Sequence, residues 1–101
     1  MTPLTNSQYQ TEVQNYPGSV ILLFTALWDN AGIKTRVFLN SLPLSNVKIF
    51  SVDFDTEREL VTKFSVRQLP EIYGLKAGEI MYIGPVCETE AEYKDILDTI
   101  L

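Results

Sequence analysis

The amino-acid sequence predicts an α/β protein: a three-layer sandwich with a mixed sheet of about four strands, or five with a short N-terminal edge strand, flanked by about four helices. Three observations predict this. Ser19–Thr25 is an unbroken run of mostly aliphatic residues, as expected of a central strand covered on both faces. Helix and strand patterns alternate up to Phe64, the order that builds parallel crossovers. Two strand-like segments then flank Lys76-Ala77-Gly78, a hairpin signal, ahead of a last amphipathic segment.

The elements follow in order. Met1–Leu4 can supply the edge strand. Leu4-Thr5-x-x-Gln8 has the form of a capping box, after which Tyr9, Val13 and Tyr16 recur at helical spacing and Pro17-Gly18 ends the segment. After Ser19–Thr25, residues 30 to 42 read as a helix with Ile33, Val37 and Phe38 inward and Pro43 closing it. Val47–Val52 is a second strand leading to Asp53-Phe54-Asp55. Thr56 to Phe64 is a short helix with Leu60, Val61 and Phe64 inward. Glu71–Lys76 and Glu79–Ile83 form the hairpin. Thr89-Glu90-Ala91-Glu92 is a second capping box, opening a helix whose stripe is Tyr93, Ile96, Leu97, Ile100 and Leu101.

Composition narrows the function. The 101 residues suit one domain spanning 1–101 with a single core, and a 46% apolar fraction fits an ordered globular chain. Net charge is −5 and the eight basic residues are scattered, which argues against binding nucleic acid or anionic lipid. No apolar run approaches a membrane span. The first residues carry neither a basic region nor an apolar signal core, so the expected location is cytoplasmic. There is no His, which removes the commonest metal ligand and the commonest general base near neutral pH. Asp53, Asp55 and Glu57 lack the spacing of a calcium loop and read as caps of the helix that follows. The lone Cys87 cannot make an internal disulfide. Neither a metal nor a cofactor is expected.

Two segments carry the functional signal. Leu27-Trp28-Asp29-Asn30-Ala31-Gly32 leaves the aliphatic strand and opens a helix, and Val66-Arg67-Gln68-Leu69-Pro70-Glu71-Ile72-Tyr73 precedes the hairpin. The pair resembles the active-site frame of the thioredoxin-like family, in which Trp-Cys-x-x-Cys starts a helix and a cis-proline faces it. Ala26-Leu27-Trp28, Val52-Asp53-Phe54-Asp55, Phe64-to-Pro70 and Leu75-Lys76-Ala77-Gly78-Glu79 fall in register with that family over nearly the whole chain. The resemblance implies a cis Leu69–Pro70 bond and a backbone at Leu69 able to pair with an extended peptide. It also exposes departures. Asp29 and Gly32 stand at the two cysteine positions, Leu23 stands where the family has a buried acid, and Thr25 replaces its first tryptophan.

Each candidate residue has two readings. Asp29 or Asn30 is an N-cap worth roughly 0.5–2 kcal/mol, or Asp29 is a carboxylate that receives a partner's donor at a helix terminus. Gly32 is tolerated in a first helical turn, or it admits close approach of a partner's backbone. Trp28 covers the sheet end, or it anchors a bound chain. Cys87, crowded by Glu88, Glu90 and Glu92 and set apart from the 29–32 turn, reads as inert, with a reactive thiol as the alternative. The functional expectation is a redox-inactive module, not an enzyme, that binds protein or extended peptide through Trp28, Asp29, Asn30, Ala31, Gly32, Leu69 and Pro70. The alternatives are a residual thiol–disulfide oxidoreductase acting through Cys87 and a structural subunit that uses another surface.

Overall fold

The computed structural model describes residues 1–101. A mixed five-stranded sheet in the order β1-β3-β2-β4-β5 is built from β1 (Thr2–Pro3), β2 (Ser19–Thr25), β3 (Val47–Asp53), β4 (Glu71–Lys76) and β5 (Glu79–Pro85). β1 and β2 lie parallel on either side of β3; β2–β4 and β4–β5 are antiparallel. The expected edge strand is thus present as two residues, Thr2 opposite Phe50 and Pro3 opposite Ser51.

β2 is the centre of the molecule, and its alternation divides the core. Val20, Leu22 and Phe24 face Tyr9, Val13, Leu60, Val61 and Phe64 on one side. Ile21 and Leu23 face Leu39, Tyr93, Ile96, Leu97 and Ile100 on the other. Both faces are buried, which is why the strand reads as a continuous apolar run instead of an alternating one. Each such side chain is worth about 1.5–3 kcal/mol on burial.

The helices obey these faces with two corrections. α2 (Asn30–Ser41) buries Gly32, Thr35 and Leu39, while Val37, expected inward, is 65% exposed. A glycine-threonine-leucine stripe carries little hydrophobic signal, so periodicity pointed one residue aside. In α4 (Glu90–Ile100) the stripe ends at Ile100, and Leu101, beyond the last helical residue, is exposed. α3 (Arg58–Phe64) buries Leu60, Val61 and Phe64 as expected. α1 is regular only over Asn6–Tyr9 and widens into a π-helical segment (Gln10–Gln14), closed by Asn15 N donating to Gln10 O at 2.9 Å.

Two connections position the site. α3 ends on Ser65 in the left-handed conformation (φ 53°), whose N–H donates to Thr62 O while Val66 N donates to Val61 O. That stop releases Val66–Pro70 as an irregular segment leading into β4. The β4–β5 turn places Ala77 and Gly78 at φ 51° and 78°, the two positive values of a type I′ hairpin. Gly78 is also required sterically, because a Cβ there would lie 2.3 Å from Gln14 O.

Candidate functional site

The site forms where β2 stops. Asp29 N donates to Ala26 O at 3.0 Å, turning the chain, and Ile33 N donates to Asp29 O at 3.0 Å as the first bond of α2. Leu27 and Trp28 bridge that turn and point outward, so Trp28 is 64% exposed. Its indole Nε1 donates to Asp55 Oδ2 at 2.8 Å, which orients the ring against the β3–α3 loop. Trp28 is therefore a surface aromatic rather than a cover for the sheet end.

Asp29 holds the N-cap position of α2 by backbone geometry, yet its side chain makes no capping bond. The carboxylate turns inward, is only 8% exposed, and meets Thr25 Oγ1 at 3.4 Å. This corrects the expectation that the Asp29 or Asn30 side chain caps the helix; Asn30 is itself the first helical residue and is exposed. Gly32 is explained by the same pocket. A Cβ on Gly32 would fall 1.9 Å from Thr25 Oγ1 and 2.5 Å from Asp29 Oδ2. The close approach that needs a glycine comes from this chain's own Thr25 and Asp29, neither a partner's backbone nor mere tolerance at a helix start. Leu23, at the position of the family's acid, is fully buried among apolar neighbours.

Opposite this turn, the Leu69–Pro70 peptide bond is cis. Both residues are half-buried, and Leu69 precedes β4, outside the pairing with β2. Its N–H and C=O take part in none of the turn or loop hydrogen bonds of the chain. Trp28, Phe54, Val66, Arg67, Gln68 and Leu69 line one hollow of about 290 Å³. Trp28 and Leu69 thus meet across a shared surface, whereas Asp29 and Gly32 are occupied by contacts inside the chain.

One buried polar residue was not foreseen. Glu71 is fully buried directly after Pro70. Its Oε1 accepts a 2.6 Å hydrogen bond from the Tyr73 hydroxyl, its Oε2 has no hydrogen-bond partner, and the Arg67 guanidinium stands 3.9 Å from that oxygen. Burial, then the adjacent Glu71 carboxylate, pushes the Tyr73 hydroxyl well above the ordinary tyrosine range. The signal was present in the register: Glu71, Tyr73 and Leu75 alternate along β4, and the latter two point into the core.

The remaining candidates separate. The acids expected to cap the third helix do three different things. Asp53 Oδ1 accepts from Asp55 N and Thr56 N, Asp55 takes the Trp28 indole, and Glu57 Oε1 accepts from Asn6 N at the start of α1. Cys87 was expected apart from the 29–32 turn, but it lines a hollow of about 300 Å³ together with Ala31, Lys34, Thr35 and Phe38. The return from β5 to α4 carries it back across the sheet end, a fold-level proximity that sequence separation conceals. Burial and, next, the Glu92 carboxylate raise the Cys87 thiol above its ordinary value, against a smaller lowering by Tyr82. That disfavours the thiolate that exchange chemistry requires.

The comparisons agree with this architecture. A family model described as Thioredoxin matches residues 1–100. A mutant thioredoxin from Halobacterium salinarum NRC-1 superposes with a TM-score of 0.85 at 18% identity, over 99% of this chain and 91% of that chain. A thioredoxin from Fasciola hepatica superposes with a TM-score of 0.86 at 19% identity, over 98% of this chain and 99% of that one. No curated protein matches the sequence. No helix is long and apolar enough to cross a membrane.

Proposed function

The chain belongs to the thioredoxin family, and from that premise we propose that it binds an extended protein segment at the groove of Trp28, Asn30, Leu69 and Pro70, with the inward-turned Asp29 beneath it, instead of exchanging disulfides there. Exchange at this position needs an attacking thiolate and a second sulfur, and Asp29 and Gly32 supply neither. What carries the proposal is the free backbone of Leu69 beside the exposed face of Trp28. An incoming strand gains two hydrogen bonds from Leu69, about 0.5–1.5 kcal/mol each, and buries its side chains on the indole. An aromatic anchor of that kind typically contributes about 2 kcal/mol or more. Affinity capture of the partner with wild type and with Trp28→Ala tests the reading. We expect the variant to weaken capture about thirtyfold, the equivalent of that loss. The same partner held at the same affinity would sink it. The cytoplasm is the compartment this reading assumes, in keeping with the single cysteine.

A structural subunit working through another surface is favoured by one observation. β5 is an edge strand, and Ile80, Met81 and Ile83 on it are all exposed. In that case Ile83→Lys abolishes assembly and Trp28→Ala leaves it intact. A residual oxidoreductase acting through Cys87, with glutathione or a partner supplying the second thiol, is opposed by the raised thiol. Turnover of a small disulfide that vanishes in Cys87→Ser would revive it.

A further inference from the structure

A second concave site lies apart from the groove, outside the carboxyl ends of the three parallel strands. The helix after β2 crosses to the face of α4, and the helix after β3 to the face of α1. Neighbouring strands whose connections diverge in this way leave a crevice between their ends, the position at which open α/β sheets characteristically bind ligands. Here the crevice is a cavity of about 240 Å³ reached by the β1–α1, β2–α2 and β3–α3 connections and by α2. That is below the roughly 300–1,000 Å³ of pockets for drug-sized molecules, so its occupant is smaller.

Two side chains on its wall have no hydrogen-bond or ion-pair partner in the chain, and a third has one free oxygen. Ser51 is 7% exposed, lines the cavity, and its hydroxyl makes no hydrogen bond. Arg36 lines it from α2 and enters none of the ion pairs, which join Lys48 to Glu12, Arg67 to Glu71 and Lys94 to Glu90. Asp53 uses Oδ1 to hold the backbone of Asp55 and Thr56 and leaves Oδ2 free. Glu57, also on the wall, is already satisfied by Asn6 N and the Thr56 hydroxyl. One unpaired cation, one unpaired carboxylate oxygen and one hydroxyl therefore share a cavity without neutralising each other. A simple anion would meet Arg36 but face Asp53; a simple cation would meet Asp53 but face Arg36. A zwitterion satisfies both.

We propose that this crevice binds a small zwitterion of free α-amino-acid size, its carboxylate on Arg36, its ammonium on Asp53 Oδ2 and Ser51, and its side chain against Pro3, Leu4 and Ile33. Amide chemical shifts of the wild-type chain, titrated with glycine, L-alanine and L-leucine, test it. L-Leucine should give saturable shifts at Thr25, Arg36 and Ser51 in the millimolar range. N-acetyl-L-leucine and L-leucinamide, each lacking one charge, should bind about tenfold more weakly or not at all, as expected when a charge-assisted hydrogen bond is lost. Arg36→Gln, Ser51→Ala and Asp53→Asn, the last keeping its turn acceptor, should weaken leucine similarly. No saturable shift with any of the three amino acids would overturn the proposal, and so would either derivative binding as tightly as L-leucine. Because the derivative comparison uses the unaltered chain, a variant that fails to fold does not decide the outcome.

Discussion

At the scale of single residues, the turn from Asp29 to Gly32 is a packed unit rather than an empty one. Thr25, Asp29 and Gly32 fill one another's space, and the glycine is the member that cannot grow. Gly32→Ala should destabilise the fold by about 1–3 kcal/mol through overpacking, despite the roughly 0.5–1 kcal/mol that alanine gains in helix propensity. Chemical denaturation of the double variant with Thr25→Ala should recover part of that loss, a coupling that independent sites would not show. The same contact bears on restoring chemistry. Cysteines at 29 and 32 would require Thr25 to give way before a disulfide could close, and Leu23→Asp would still be needed to supply a base. Trp28 behaves oppositely. It is exposed and tied by a single surface hydrogen bond, so Trp28→Ala should change stability by no more than about 0.5 kcal/mol while weakening binding about thirtyfold. None of this was readable from residue types. Trp28, Leu69 and Pro70 announced the frame, but Asp at a helix start is ordinarily a cap, and only three-dimensional placement reveals that its carboxylate has turned inward.

At the scale of elements, the helix starts at Asp29 and Thr89 divide. Thr89 Oγ1 accepts from Glu92 N at 3.2 Å, and Glu92 Oε1 accepts in return from Thr89 N at 3.1 Å. Thr89→Ala should therefore cost about 1 kcal/mol of unfolding free energy. Asp29→Ala should cost α2 less than that, because its side chain caps nothing. The contrast shows where sequence patterns were informative. A capping box names two partners and is nearly self-verifying, and the aliphatic run of β2 and the hairpin turn named their elements with similar clarity. The faces of α2 and the π-helical widening after Tyr9 depend on what the sheet opposite presents. A helix whose inward residues are Gly32, Thr35 and Leu39 carries almost no periodic signal of its own. Glu71 escaped notice for a related reason. Its place in the β4 alternation was legible, but a carboxylate pointing into a core runs against composition until Tyr73 is seen to meet it.

At the scale of the whole molecule, the ionisable hydroxyls and the thiol act in one direction. Burial is the leading cause that raises Tyr9, Tyr73, Tyr82, Tyr93 and Cys87, with Tyr93 reaching about 12. Each group keeps its proton longer when folded than when unfolded. Its contribution is complete below the unfolded value and lost as pH climbs through the folded one. Stability should decline from the ordinary cysteine and tyrosine range, about 8.5 to 10, and fall further toward pH 12. The ring resonances of Tyr9, Tyr73, Tyr82 and Tyr93, followed one by one, should move to the tyrosinate position together with loss of helix signal; any of these four ionising at its ordinary value in a still-folded chain would contradict the burial of these groups. The direction of the Cys87 shift also separates fold from chemistry. The thioredoxin fold is present from end to end, and its two sulfur positions are not.

The groove can be examined through its own aromatic, because Trp28 is the only tryptophan in the chain. Replacing it with fluorotryptophan gives one fluorine resonance at the centre of the proposed binding surface. Titration with the captured partner should move that resonance in a saturable way, with the same affinity as the complex itself. A partner that binds at full affinity while the resonance stays still would show that the chain works through another surface.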